Sequence, residues 1–155
     1  MATQLWLLRH GEAVPHDDAD DDGRPLTDRG RLQSVAAGRA LARLEVPVHD
    51  CFTSPKLRAK ETAELACREL GLEPVVHPPL SSGFAARDAL ELLDADRIVL
   101  IAGHDPDLSQ VVHDLTGAHV KLKKGGVAGV RMAGGSGELL VLLRPRELAR
   151  IAGAV

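Results

Sequence analysis

Three short segments set cations and imidazoles directly behind apolar runs. Arg9-His10-Gly11 follows Leu5-Trp6-Leu7-Leu8, Ser54-Pro55-Lys56-Leu57-Arg58 follows the segment ending at Thr53, and Gly103-His104 follows Ile98-Val99-Leu100-Ile101-Ala102. A guanidinium fork matches paired oxygens on one anionic group. An imidazole can serve as nucleophile or as proton carrier, and a helix N-terminus adds partial positive charge. Two arginines and two histidines, without a compensating carboxylate in each motif, therefore suit a tetrahedral dianion such as a phosphoryl group.

Elements that would bring these segments together are legible from periodicity. Residues 5–8 and 98–102 are continuously apolar, as strands buried on both faces of a parallel sheet are. Val48 to Thr53 reads as a further strand, and Glu73 to His77 as a short one broken by Pro78-Pro79. Thr27 caps a predicted helix from Asp28 to about Leu44, with Leu32, Val35, Ala36 and Ala40 on its apolar face. Ser54 as cap and Pro55 in first position predict a second helix to about Leu70, striped by Ala59, Ala63, Ala66 and Leu70 and stopped by Gly71. A third helix is predicted to about Leu93. A fourth, capped by Asp105 and opened by Pro106, carries Leu108, Val111, Val112 and Leu115 and ends at Gly117. Strands near Val127–Met132 and Leu139–Leu143 flank a glycine-rich turn, and Pro145–Ile151 reads as a last short helix. Strands alternating with helices give an α/β fold with a mostly parallel central sheet, helices on both faces and one domain over residues 1–155. All three junctions then lie at C-terminal strand ends, where open α/β sheets bind ligands.

Composition narrows the function classes. The 155 residues carry 19 basic and 22 acidic side chains, a net charge of -3, which is the wrong sign for a nucleic-acid binder. Aromatic residues make up 2%, so stacking on bases is not an available mode. No apolar run reaches the roughly 18 residues of a membrane span, and no basic-then-apolar leader precedes the first strand. Cys51 and Cys67 fall on a strand and a helix, as reduced core thiols would. A cytoplasmic protein without membrane or nucleic-acid partners is the resulting expectation.

The motifs resemble those of the histidine phosphatase superfamily, relatives of the phosphoglycerate mutases. Leu8-Arg9-His10-Gly11-Glu12 is similar to its Arg-His-Gly signature, Leu26-Thr27-Asp28-Arg29-Gly30 to its Leu-Thr-x-x-Gly helix start, Ser54 to Ala63 to its second motif and Gly103-His104 to its third. The short chain and Gly103-His104-Asp105-Pro106-Asp107-Leu108-Ser109 are most similar to the SixA-like phosphohistidine phosphatases, a branch that often has Asn at the position of Asp105. The resemblance implies the phosphoglycerate mutase-like fold, a metal-independent phosphatase without cofactor, and His10 as the nucleophile. By it, Arg9, Arg58 and a protonated His104 hold the transferring phosphoryl oxygens, while Gly11, Ser54, Glu12 and Asp105 are substrate-binding candidates. Ser54 reads as a helix cap first and a phosphate ligand second.

Larger relatives supply a general acid from the segment that here reads Leu80-Ser81-Ser82-Gly83-Phe84, which contains none. A phosphohistidine, whose leaving imidazole needs less help than an alkoxide, is therefore the expected substrate, carried on a protein. A phosphorylated metabolite or nucleotide is the alternative, with Glu12, Asp105 or Asp88 as fallback donors. A module that binds phosphate without turnover is the third reading. Asp18, Asp20, Asp22 and Gly23 match the first half of an EF-hand loop, but Arg29 stands where the bidentate Glu belongs, so a solvated, flexible loop beside the site is the reading. His16, His49, His77, His113 and His119 lack metal-ligand spacing. Lys121, Lys123 and Lys124 form a basic patch, either a solvated loop or a contact for an acidic protein substrate.

Overall fold

Alternation along the first strand sets the layers. In the computed structural model, which describes residues 2–16 and 20–154, β1 (Thr3–Arg9) turns Leu5 and Leu7 to one side of the sheet and Trp6 and Leu8 to the other, all buried. The sheet has six strands in the order β3-β2-β4-β1-β5-β6, where β2 is Asp50–Thr53, β3 Val75–Val76, β4 Ile98–Gly103, β5 Val127–Ala133 and β6 Ser136–Leu143. Strands β1 to β4 pair in parallel, β5 runs antiparallel to β1, and β6 is antiparallel to β5.

Helices cover both faces. On one, α3 (Ala86–Glu91) and α4 (Asp107–Thr116) pack Ala89, Leu108, Val111, Val112 and Leu115 against Leu5, Leu7, Val99 and Ile101. On the other, α1 (Asp28–Arg43), α2 (Leu57–Leu70) and α5 (Pro145–Ala152) pack Ala37, Ala40, Leu41, Ala63, Ala66, Cys67 and Leu148 against Trp6, Leu8, Leu100 and Ala102. With few aromatics, tight helix approach fills the core. A Cβ on Gly38 of α1 would lie 2.3 Å from the carbonyl oxygen of Ala66 in α2. Cys51 and Cys67 are buried free thiols, as expected of core cysteines.

Several local readings shift. Ala36 and Ala40 are buried as expected, but Leu32 is 55% exposed, and the rest of the buried face of α1 is Gly30, Ser34, Ala37, Gly38 and Leu41. The third strand shortens to two exposed residues at the sheet edge, and Pro78–Ser81 forms a 3-10 turn. Helix α2 begins at Leu57 with Lys56 as its cap residue, because Ser54 Oγ accepts from the Lys56 amide at 3.2 Å and closes a turn ahead of the helix. Likewise α4 starts at Asp107 rather than Pro106. Asp17 and Asp18 of the aspartate loop lie outside the described residues; Asp21–Gly23 is a 3-10 turn.

Candidate active site

The loop after β1 is clamped by backbone approach and by buried hydroxyls. A Cβ on Gly11 would lie 2.7 Å from the carbonyl oxygen of Gly30, and one on Gly30 would lie 2.0 Å from that of Glu12, so neither position has room for a side chain. Thr27 caps α1 by accepting from the Gly30 amide at 3.1 Å, and its own amide donates to the Glu12 carbonyl at 3.0 Å. The Gly11 amide donates to Thr62 Oγ1 at 3.1 Å, and that hydroxyl donates to the Arg58 carbonyl at 2.7 Å. Helices α1 and α2 thus fix the backbone that carries His10.

Beside this loop is a cavity of about 630 Å³ lined by Arg9, His10, Ala13, Pro15, His16, Arg24, Arg58, His104, Asp105 and Lys124. It lies at the C-terminal ends of the adjacent strands β1 and β4, with Arg58 supplied by the start of α2 behind β2. His10, Arg58 and His104 are 6%, 6% and 8% exposed. The His10 and His104 rings lie 5.3 Å apart, centroid to centroid, tilted by 55°.

His10 Nδ1 lies 2.7 Å from the Gly11 carbonyl oxygen. A carbonyl only accepts, so Nδ1 carries the proton and Nε2 keeps its lone pair. Burial, with help from Arg58, Arg9 and Lys124, lowers the His10 pKa to about 4 against a hydrogen bond to Gly11 that acts the other way. The ring is neutral at pH 7, the form a nucleophile needs.

His104 departs from expectation. Burial first, then His10, Arg58 and Lys56, lower its pKa to about 3, so before an anion binds it is neutral rather than protonated. Its Nε2 lies 2.8 Å from Ser54 Oγ, while its buried Nδ1, like Arg9 Nε and Arg58 Nε, has no hydrogen-bond partner among the described residues. Ser54 therefore orients His104 rather than lining the cavity.

The other sequence candidates divide. Arg9 lines the cavity and donates from Nη1 to the Leu122 carbonyl at 2.9 Å. Asp105 lines it too, but its carboxylate accepts from the amide and hydroxyl of Ser109 at 3.1 and 2.6 Å. Glu12 faces a neighbouring cleft, held by Thr27 Oγ1 at 2.9 Å and Arg29 at 3.3 Å. Asp88 accepts from the Ala85 amide at the start of α3.

The aspartate loop, expected from sequence to lie beside the site, supplies a partner for Arg58 that the sequence does not single out. The Asp21 carboxylate lies 3.1 Å from Arg24 and 3.6 Å from both Lys56 and Arg58, and its carbonyl accepts from Arg58 Nη1 at 2.7 Å. Burial would raise its pKa, but Arg58, Arg24 and Lys56 outweigh it and hold the carboxyl below its ordinary value. His16, read from sequence as an incidental histidine, is 71% exposed by side chain, lines the cavity and lies 3.3 Å from Asp21. Clustered aspartates ahead of a basic helix start were the available signal. Among the described residues no group of three or more His, Cys, Asp or Glu could hold a metal.

Residues 5–82 match the family model of the histidine phosphatase superfamily, branch 1. The chain belongs to the histidine phosphatase superfamily. A protein of Picosynechococcus sp. is 34% identical over 94% of this histidine phosphatase and 98% of its own length. The protein histidine phosphatase SixA, solved with tungstate, superposes with a TM-score of 0.81 at 26% identity, covering 94% of this chain and 99% of that one. The serine/threonine-protein phosphatase Pgam5 of Drosophila virilis is 38% identical over 44% of this chain, but only 24% of its own length. The protein is a phosphatase with the SixA-like fold, as its motifs imply. No helix among the described residues is long and apolar enough to cross a membrane.

Proposed function

We propose that this phosphatase hydrolyses phosphohistidine on a protein through a phosphorylated His10. Nε2 of His10 attacks phosphorus, the phosphorus–nitrogen bond to the substrate imidazole breaks, and that imidazole takes a proton from solvent. Water then attacks the phosphoryl group on His10 and releases inorganic phosphate. Arg9 and Arg58 hold the equatorial oxygens, where charge gathers in the transition state. The arriving dianion counters the burial and the neighbouring cations that keep His104 neutral, so His104 gains a proton as substrate binds and joins Arg9 and Arg58.

The observation that carries the substrate assignment is the engagement of the carboxylates in and beside the cavity among the described residues. Asp105, which lines it, accepts from Ser109, and Asp21, which pairs with the lining Arg58, is held ionised among Arg24, Lys56 and Arg58, so neither is free to give up a proton. Glu12 and Asp88 are occupied elsewhere. A phosphoryl donor with a good leaving group fits such a site, and an alkyl phosphate does not. The SixA match, solved with a tetrahedral oxyanion, supports the same reading.

A leaving-group series tests it: kcat/KM for phosphohistidine, an aryl phosphate and an alkyl phosphate at several pH values. Phosphohistidine is expected to lead and alkyl phosphate to trail by orders of magnitude. Comparable rates would overturn the assignment. His10→Ala should abolish turnover of all three, and retained turnover would remove His10 from the mechanism.

A further inference from the structure

A second cleft, of about 660 Å³, opens beside the catalytic cavity and shares Arg9 and Lys124 with it. Its remaining wall carries five further cations, Arg29 from α1, Lys121 and Lys123 from the segment before β5, and Arg144 and Arg146 at the start of α5, beside the uncharged Gln33, Pro145 and Ala149. Among the described residues Glu12 is the one carboxylate in its lining, in a chain whose net charge is -3. Arg29 is paired with Glu12 and Arg144 with Glu147. Among the described residues, Lys121, Lys123, Lys124 and Arg146 have no carboxylate within ion-pair distance, and all four are exposed.

Stability does not account for this arrangement. Arg146 stands in the first turn of α5, the end of a helix where a cation is disfavoured by the macrodipole. The lysine segment is also tied to the catalytic residues themselves. The Gly125 amide donates to the carbonyls of Arg9 and His10 at 3.1 and 3.0 Å, Arg9 Nη1 donates to the Leu122 carbonyl, and the Leu122 amide donates to Ser109 Oγ at 3.0 Å. Leu122 is fully buried between the lysines. The backbone that carries these lysines is therefore held beside His10.

We propose that this cleft binds an acidic polypeptide segment flanking the phosphohistidine of a protein substrate, an inference that rests on the proposed function and names its substrate class. The charges are spread along an open cleft instead of converging on one point, which suits a run of carboxylates on an extended chain. A basic wall of this kind raises the local concentration of an anionic partner and accelerates encounter by about 10-fold or more, an effect that weakens with salt.

The test uses the full chain and the triple variant Lys121→Glu, Lys123→Glu, Arg146→Glu, none of which lines the catalytic cavity. First, an unphosphorylated glutamate-rich peptide is added to para-nitrophenyl phosphate hydrolysis. It should raise the apparent KM of the parent protein and have little effect on the variant, whose turnover of para-nitrophenyl phosphate alone is otherwise preserved. Equal inhibition of both proteins, or of neither, overturns the cleft. Second, kcat/KM is compared for phosphohistidine peptides flanked by Glu or by Gln. The parent should favour the Glu peptide by about 10-fold, lose most of that preference in raised salt, and lose or reverse it in the variant. Equal rates on the two peptides, or a preference that survives in the variant, refutes the proposal. Hydrolysis of neither peptide alongside salt-sensitive inhibition in the first assay would instead overturn the phosphohistidine reading and uphold the acidic-segment cleft.

Discussion

Gly30→Ala sets local helix propensity against the packing that positions the nucleophile. In the interior of an exposed helix this change stabilises by about 0.5–1 kcal/mol. Here the added Cβ would stand 2.0 Å from the Glu12 carbonyl oxygen and 3.0 Å from its carbonyl carbon and amide nitrogen. All three atoms are backbone, so no side chain can swing aside. Real Cβ contacts essentially never fall below 3.0 Å, so α1 and the loop carrying His10 must part by about 1 Å. Overpacking of this kind costs about 1–3 kcal/mol, more than propensity returns, and misplacing a reacting group by about 1 Å costs on the order of 100-fold in rate. The variant should therefore melt several degrees lower and lose about two orders of magnitude in kcat on para-nitrophenyl phosphate. A higher melting temperature with kcat within about twofold of the parent would refute the claim that this contact positions His10.

Other perturbations act on the same network. Thr62→Val leaves the buried Gly11 amide without its acceptor, so stability should fall by about 1–3 kcal/mol and turnover with it; Thr62→Ser should restore both, as read by denaturant midpoint and kcat. Ser54→Ala frees His104 Nε2 from its 2.8 Å partner and should lower kcat about 5-fold, in line with the roughly 1 kcal/mol worth of one hydrogen bond; unchanged kinetics would remove Ser54 from the site. Acidification should destabilise the fold. Both histidines have folded pKa values, about 4 and about 3, below their ordinary 6.5, so the unfolded chain binds more protons as pH falls below that value. Their contribution, on the order of 3 to 5 kcal/mol each, is present above pH 6.5 and is lost as pH falls through about 4 for His10 and about 3 for His104. Urea midpoints from pH 7 to pH 4.5 should fall less steeply for His104→Asn than for the parent.

The sequence carried the fold because strands β1 and β4 are apolar without interruption and the stripes of α2 and α4 repeat at helical spacing. It carried His10, Arg58 and His104 because His10 and His104 follow β1 and β4 directly and Arg58 opens the helix that follows β2, and adjacent parallel strands place such junctions together. Leu32 has the spacing of a core residue but faces out, because the small residues of α1, Gly38 among them, are what let it approach α2. The glycines of the Arg-His-Gly and Thr-x-x-Gly segments were visible as motifs, but their mutual contact is a tertiary fact. Asp21 joins Arg58 across 37 residues of chain, a pairing periodicity cannot show. His104 read as charged because residue type gives no burial, and burial decides its protonation. The second cleft draws Arg29, the 121–124 segment and the start of α5 onto one surface, so only its lysines stood out in the chain.

The account rests on a phosphoryl group passing through His10. Rapid-quench mixing with a phosphohistidine or aryl phosphate substrate, followed by mass analysis of the protein, should trap one phosphoryl group, labile to acid and mapped to the His10 peptide. Its formation should be kinetically competent, and it should be absent from His10→Ala. Steady turnover without such an adduct, or an adduct on another residue, would contradict the account.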